Sequence, residues 1–592
     1  MGTLTFSDSA LLSDFDDNQE RALSFSEEDL RYVVALDFGT TFSGIAFGQL
    51  QRKDKVVVNT NWGKYVHKIP TRLIYDSNGK VLCWGLDAAS SSQVNKLKSQ
   101  YKDDIFFAEL FKLYLSSDKK SYRAKLPPSV SYQKAIVDFL TCIKQEIDRI
   151  IDRRELIFNN AGDVKFPEEF RIALTVPVEW GFGSNDVMRD CMHKAGFTLE
   201  KDSEQLQFLP EPAAAAISCL QDRENYNLKP GDSYIIADCG GGTVDLSTYR
   251  IRADNKIDEK TISKGATCGS TSVDRKFLNF LAKQLGIKKN RMENLRLKTI
   301  PCLVYDVFAP IKHKFDGDEE HFKEFELNIM GDCPSLEKHA SPKKIDALDE
   351  DEWIIKHDYK TIKSFFDSSV NKIIDLIRQQ IDLSPQKCAA LLMVGGYSES
   401  PYLQARIREE FKEHIPSIIV PPSPKPTVSI VEGAGFYGLN CDEIIKTRVL
   451  KHYFGVKTLN HPVLIMLSGD LHVFSVIASK GSSIPPPTPF KEVYKPLFPD
   501  QEKANVSIYY SDTDDPDDAD DDTVVHKLKH WVVDIPDVQH GLNRVIEVSL
   551  SFGIELAEIK ATARNSITGK VYEVAEIKEA DEYYEEEKLW AS

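Results

Sequence analysis

Two short stretches carry the residue types from which a phosphate site can be built. "IIADCGGGTVDLSTYRI" (235–251) sets Gly240, Gly241 and Gly242 between two apolar runs, with Asp238 before them and Asp245 after. "VALDFGTTFSG" (34–44) repeats the order of apolar run, aspartate, any residue, glycine, then Gly or Thr, then a second run. A glycine-rich hairpin tip brings backbone N–H groups to phosphate oxygens because no Cβ blocks the approach. Thr40, Thr41 and Thr243 add hydroxyl donors. Asp37, Asp238 and Asp245, at the strand ends, are carboxylates suited to hold the water shell of Mg2+. Either stretch alone reads equally well as a tight turn with ordinary turn aspartates. The same syntax twice points to two tips that clamp a polyphosphate.

Other chemistry is sparse. No GxxxxGK[ST] occurs, which excludes a P-loop, and the GxGxxG of Gly433, Gly435 and Gly438 follows a Pro-rich stretch instead of a strand. It reads as a small-residue helix packing near a ligand. The thirteen histidines form no HExxH, and the ten cysteines are scattered singly without metal-ligand spacing, as expected of a reduced compartment. Cys239, inside the second tip, reads as a small core residue. "SDTDDPDDADDD" lacks the glycine and terminal glutamate of an EF-hand and reads as a solvated hairpin loop.

The elements that must position the tips alternate strand and helix to about residue 440. Ile136, Phe139, Leu140, Ile143, Ile147 and Ile150 recur at helical spacing, as do Phe366, Val370, Ile373 and Ile377. From about 460 the runs become short and β-branched, the texture of an antiparallel β domain. A chain of 592 residues, 42% hydrophobic, is long enough for several cores. Its net charge of −17 argues against nucleic-acid or anionic-membrane partners. The first 30 residues read as a disordered acidic leader, no apolar run approaches the roughly 18 residues that span a bilayer, and a cytoplasmic or nuclear place is expected.

With both hairpins in hand, residues 31–440 resemble the actin-like ATPase superfamily, and within it the heat-shock protein 70 family. "LDFGTTFSG" is similar to the family's first phosphate loop, and "ADCGGGTVDLS" to its second. "LTVPVEWGFGSNDVMRDCMHKAGF" and "LPEPAAAAI" resemble its connecting segment, and "LMVGGYSESPYLQARI" its adenosine loop. "GATCGSTSVD", "IKHKFDG" and "VGGYSESP" are closer to the divergent heat shock 70 kDa protein 12 branch. The resemblance implies a duplicated, two-lobed α/β ATPase domain (lobes about 31–230 and 231–440), a linker at 441–460, an antiparallel β-sandwich at 461–580 and an acidic tail at 581–592. It further implies that Asp37 and Asp238 hold Mg2+ through water, and that Thr40, Thr41, Gly240, Gly241, Gly242 and Thr243 hold the phosphates of ATP or ADP. By the same resemblance Glu211 and Asp245 orient the attacking water, Lys112 stands for the active-site lysine, Lys312 is the basic residue near the nucleotide, and Gly395 and Gly396 line the adenosine pocket.

Several positions depart from the family. Tyr397 and Glu399 replace a serine and an arginine, Thr427 an aspartate, and Ala309 an acidic residue. After the strands similar to the peptide-binding sandwich, little chain remains for a helical lid. The function expected is a slow Mg2+-dependent ATPase coupled to binding of extended polypeptide. The alternatives are an ATP-binding scaffold with negligible turnover and a small-molecule kinase of the same superfold. Coupling to co-chaperones stays open because "NCDEIIKTRVLKHYFGVKT" replaces the usual leucine-rich linker.

Overall fold

The computed structural model describes residues 29–459 and 472–574, apart from 103, 117–121, 160, 299–302, 442–443, 486–487, 497, 514–524 and 553–558. The expected leader (to residue 28), the acidic tail and most of the aspartate-rich loop lie outside the described residues.

One sheet is built from β1 (Tyr32–Asp37), β2 (Phe42–Gln49), β3 (Val56–Val58), β4 (Ile69–Pro70), β5 (Phe170–Val176) and β6 (Leu206–Pro210). Its order is β3-β2-β1-β5-β6, with β4 on β2. A second sheet uses β7 (Ser233–Cys239), β8 (Val244–Ile251), β9 (Ile257–Glu259), β10 (Lys264–Ala266), β11 (Ala390–Val394), β12 (Ser417–Ile419) and β13 (Ile445–Val449). Its order is β12-β11-β7-β8-β9-β13, ending on the short strand Ser483–Ile484, with β10 on β8. The sequence repeat is thus a repeat of topology: β1 runs antiparallel to β2 and parallel to β5, and β7 runs antiparallel to β8 and parallel to β11. Both central strands are buried along their whole length, which is why they read as unbroken apolar runs instead of alternating ones.

Helices cover both sheets. In α1 (Tyr132–Asp152) the six apolar residues at helical spacing are all buried, and Ser131 caps the start by accepting from the Lys134 amide. Helix α4 (Tyr359–Leu383), capped by Asp358, buries Phe366, Val370, Ile373 and Ile377 in the same way. Between the halves cross α2 (Glu211–Gln221) and α5 (Lys425–Asn440). A Cβ on Gly433 would come 1.8 Å from the Ala214 carbonyl oxygen, one on Gly435 2.6 Å from Val56, and one on Gly438 2.5 Å from Val33. The GxGxxG is therefore a close helix crossing, as expected, its glycines meeting backbone and aliphatic side chains.

The segment 441–460, expected to be a linker, instead supplies β13 to the second sheet and then the strand Tyr453–Leu459. That strand belongs to a four-stranded antiparallel sheet with His472–Ala478, Lys503–Ser511 and Val525–Asp534. A further antiparallel sheet joins Pro489–Tyr494, Ile546–Phe552, Ile559–Asn565 and Val571–Val574. Residues of both, among them Phe454, Ile508, Val548 and Phe552, share one apolar core. Among the described residues no helix is long and apolar enough to cross a membrane.

Candidate functional site

The two glycine tips meet side by side. A Cβ on Gly241 would come 2.1 Å from Thr41 Oγ1, and one on Gly242 2.4 Å from Thr40 Oγ1, so only glycine allows this approach. Each tip is fixed from behind. The Thr71 amide donates to the Thr41 carbonyl and the Thr71 hydroxyl to the Gly39 carbonyl, both at 2.8 Å. At the second tip, the amides of Gly269, Ser270 and Thr271 donate to the carbonyls of Gly242, Gly240 and Gly241.

Around the tips gather four buried carboxylates: Asp37, Glu211, Asp238 and Asp245. Asp238 and Asp245 are register partners across the β7–β8 hairpin, a placement in which like charges cost stability. Burial pushes the Asp238 carboxyl well up, with Glu211 and Asp37 adding to it. Asp245 is raised by burial and then by Glu211, Glu179 and Asp238. Its Oδ1 accepts from the Val178 amide at 3.1 Å; among the described residues no donor meets its buried Oδ2 in hydrogen-bond geometry, although Thr243 pulls its pKa the other way. Glu211 opens α2, with Pro212 in the first turn, where the helix N-terminus favours a carboxylate. Burial raises its carboxyl and Lys112 opposes.

Lys112 reaches this group from a 3-10 turn, Phe111–Leu115, and donates to Glu211 Oε1 at 2.7 Å. Its ammonium also lies 5.3 Å from the Trp180 ring, so the cation is enclosed by an aromatic and a carboxylate. Gly395, at φ +80°, lies against the second tip: a Cβ there would come 2.3 Å from Asp238 Oδ1. Gly396 faces open space. Lys312 stands apart, in a buried ion pair with Asp274 at 2.7 Å. On the same turn, burial and Lys312 push His313 down against the pull of Asp274 and Glu399. Tyr397 is buried in the apolar core.

Two residues of the cluster escaped the sequence reading. Lys68, just before β4, donates to Asp37 Oδ2 at 2.5 Å. Glu179 follows β5 and is pushed up to about 7, chiefly by burial, with Ser116 opposing and Glu211 reinforcing. No spacing marks either; a lysine followed by Ile-Pro-Thr, bonded to a tip through Thr71, is visible only once the strands are paired. Glu179 also lines a cavity of about 220 Å3 with Arg448, Lys451, His452 and Asp512. There Lys451 donates to the Val178 carbonyl at 2.7 Å, and His452 pairs with Asp512. The Val178 peptide therefore touches Asp245 on one side and the segment leading to the C-terminal sheets on the other.

The donor set suits Mg2+: all oxygens, with a buried carboxylate oxygen on Asp245 that has no hydrogen-bond partner among the described residues. Among the described residues no three His, Cys, Asp or Glu side chains are arranged to ligate a metal directly. Asp37 and Asp238, on the two tips, are the carboxylates that would hold it through water.

A family profile described as a domain of unknown function, DUF8340, matches residues 229–420. The human heat shock 70 kDa protein 12A is 25% identical over 97% of this chain and 94% of its own length. Over nearly its whole length the chain is similar to the divergent heat shock 70 kDa protein 12 branch. The human heat shock 70 kDa protein 12B is 22% identical over 81% of this chain and 80% of its own length. The chaperone protein DnaK of Thermosipho melanesiensis is 24% identical over 64% and 55%. These heat-shock protein 70-like relatives imply the two-lobed actin-like ATPase fold, and the two repeated sheets supply its halves.

Proposed function

We propose that this heat-shock protein 70-like chain binds Mg·ATP between its glycine tips, hydrolyses it slowly to ADP and phosphate, and couples the nucleotide state to the grip of its C-terminal sheets on extended polypeptide. The observation that carries the reading is the convergence of four buried carboxylates and two lysines on two touching glycine tips. In this role Thr40, Thr41, Thr243 and the amides of Gly240, Gly241 and Gly242 hold phosphate oxygens, while Asp37 and Asp238 hold the hydrated metal. Mg2+, when bound, would neutralise phosphate charge. Glu211 and Asp245 orient the attacking water, and Lys112 fixes Glu211 and supplies positive charge beside it. Gly395 and Gly396 would border the adenosine, with Lys312 holding the adjoining turn through Asp274.

Coupling is supported by the Asp245–Val178–Lys451 chain of contacts, which joins the water-orienting carboxylate to the segment entering the C-terminal sheets. Polypeptide binding is supported by the exposed apolar side chains those sheets present, among them Val493, Val532 and Val571. The protein fits a role inside the cell, cytoplasmic or nuclear. The test is calorimetry with Mg·ATP beside phosphate release in the same buffer. Binding with release is expected; binding without release would leave the scaffold alternative, and absence of binding would remove the nucleotide reading.

A further inference from the structure

Lys68 is the cation that the nucleotide reading leaves without a role. Its ammonium lies 2.5 Å from Asp37 Oδ2, on the carboxylate assigned to the metal's water shell. The residue is not placed there by chance of a long surface side chain. Its strand neighbours Ile69 and Pro70 pair with Ser43 and Phe42, and Thr71 is bonded to the Thr41 and Gly39 carbonyls, so the segment moves with the first tip. Gly44 keeps the way open: a Cβ there would come 3.2 Å from Lys68 Cγ. The two lysines of the site also differ in access. The Lys112 side chain is 3% exposed and locked on Glu211, whereas that of Lys68 is 16% exposed, at the accessible edge of the cluster. An ammonium on a four-carbon stem can turn from one oxygen to another within a small radius.

We infer that Lys68 is a built-in counter-cation of the phosphate site, one that contacts the bound polyphosphate and makes nucleotide binding less dependent on Mg2+. The inference rests on the nucleotide reading above and adds to it a division of labour: a mobile divalent ion and a tethered monovalent one serve the same negative charge. Without metal, Lys68 leaves Asp37 for the phosphates; with metal, it returns to Asp37 as part of the metal's surroundings.

The test measures ADP affinity of the full chain by calorimetry in excess Mg2+ and in EDTA, for the unmodified protein, Lys68→Gln and Lys68→Arg. Gln removes the charge and keeps an N–H donor, on a side chain one bond shorter. A charge-assisted phosphate contact carries about 10- to 100-fold in affinity. Lys68→Gln is therefore expected to bind within a few-fold of the unmodified protein in Mg2+, and to lose about 10- to 100-fold more than it on transfer to EDTA. Lys68→Arg should recover most of that difference. An equal EDTA penalty in the unmodified protein and Lys68→Gln overturns the inference while leaving the nucleotide site standing. No ADP binding by the unmodified protein in Mg2+ overturns both. Should Lys68→Gln melt far below the unmodified protein, the comparison passes to Lys68→Met, which keeps an apolar stem over Gly44 and removes the ammonium; an EDTA penalty equal to that of the unmodified protein there also overturns the inference.

Discussion

Gly44 and Asp245 hold the same place in the two hairpins, each facing across the ladder the aspartate near the end of the first strand. In the first hairpin that place is empty of side chain, and the stem of Lys68 runs over it to reach Asp37. In the second it holds another carboxylate. One backbone design, used twice, has therefore been given opposite electrostatics by a single position. The first hairpin neutralises its aspartate internally. The second concentrates negative charge and relies on something from outside to relieve it, since among the described residues neither Asp238 nor Asp245 makes an ion pair. Both lysines of the site come from the first half of the chain, and the orphaned oxygen from the second.

The strongest way to break this contrast is to remove the second hairpin's charge. Asp238→Ala is expected to abolish the rise in melting temperature that millimolar Mg·ADP gives the unmodified protein, since a ligand bound only by the folded state stabilises by mass action. The ligand-free melt should stay unchanged or rise, because a costly buried carboxylate is gone. A fall in the ligand-free melt would make Asp238 a structural turn residue. Next in size, Glu211→Gln should lower phosphate release by about 10²-fold while ADP affinity changes only a few-fold. Equal turnover in the two proteins would show that only background hydrolysis is present.

Two smaller effects sharpen the comparison. Gly242→Ala pushes a methyl into Thr40 and should cost about 1–3 kcal/mol in urea unfolding. Gly240→Ala, whose Cβ would meet only the Thr243 carbonyl at 3.1 Å, should cost less. Equal losses would mean that contact between the tips is not what the glycines serve. The smallest effect is electrostatic. Glu179, raised from 4.5 to about 7, binds its proton more tightly when folded. Its contribution is fully present below pH 4.5 and is lost as the pH rises through about 7. Glu179→Gln should flatten that part of the ligand-free stability profile in a melt series from pH 4.5 to 8, and an identical slope would rule the group out.

Much of this was legible in the chain. The glycine tips, their aspartates and threonines, the amphipathic helices and the change to short β runs all depend on local spacing, and spacing survives folding. Lys112 entered by family resemblance, and the turn that carries it does deliver the ammonium to Glu211. What was not legible depends on register between distant strands. Lys68 lies 31 residues from Asp37 and is brought to it by β4 pairing with β2. Segment 441–460 looked like a linker by its place in the family resemblance, and short β-branched strands carry little periodic signal; β13 gains its place by pairing with β9 on one side and Ser483–Ile484 on the other.

The crossing of α2 and α5 has a consequence for anyone who would take the protein apart. Helix α2 comes from the first half of the chain yet lies against β7 and β8, while α5 comes from the second half and lies against β1, β2 and β5. Each half has lent its partner a wall. A cut near residue 230, where the sequence divides most naturally, would yield two fragments that each expose the seat of a missing helix, and Gly433, seated on Ala214, could not be covered by detergent or by a shortened terminus. Expressed separately the halves should be insoluble, and expressed together from two messages they should find each other and copurify, so that the smallest unit that can be handled is the pair.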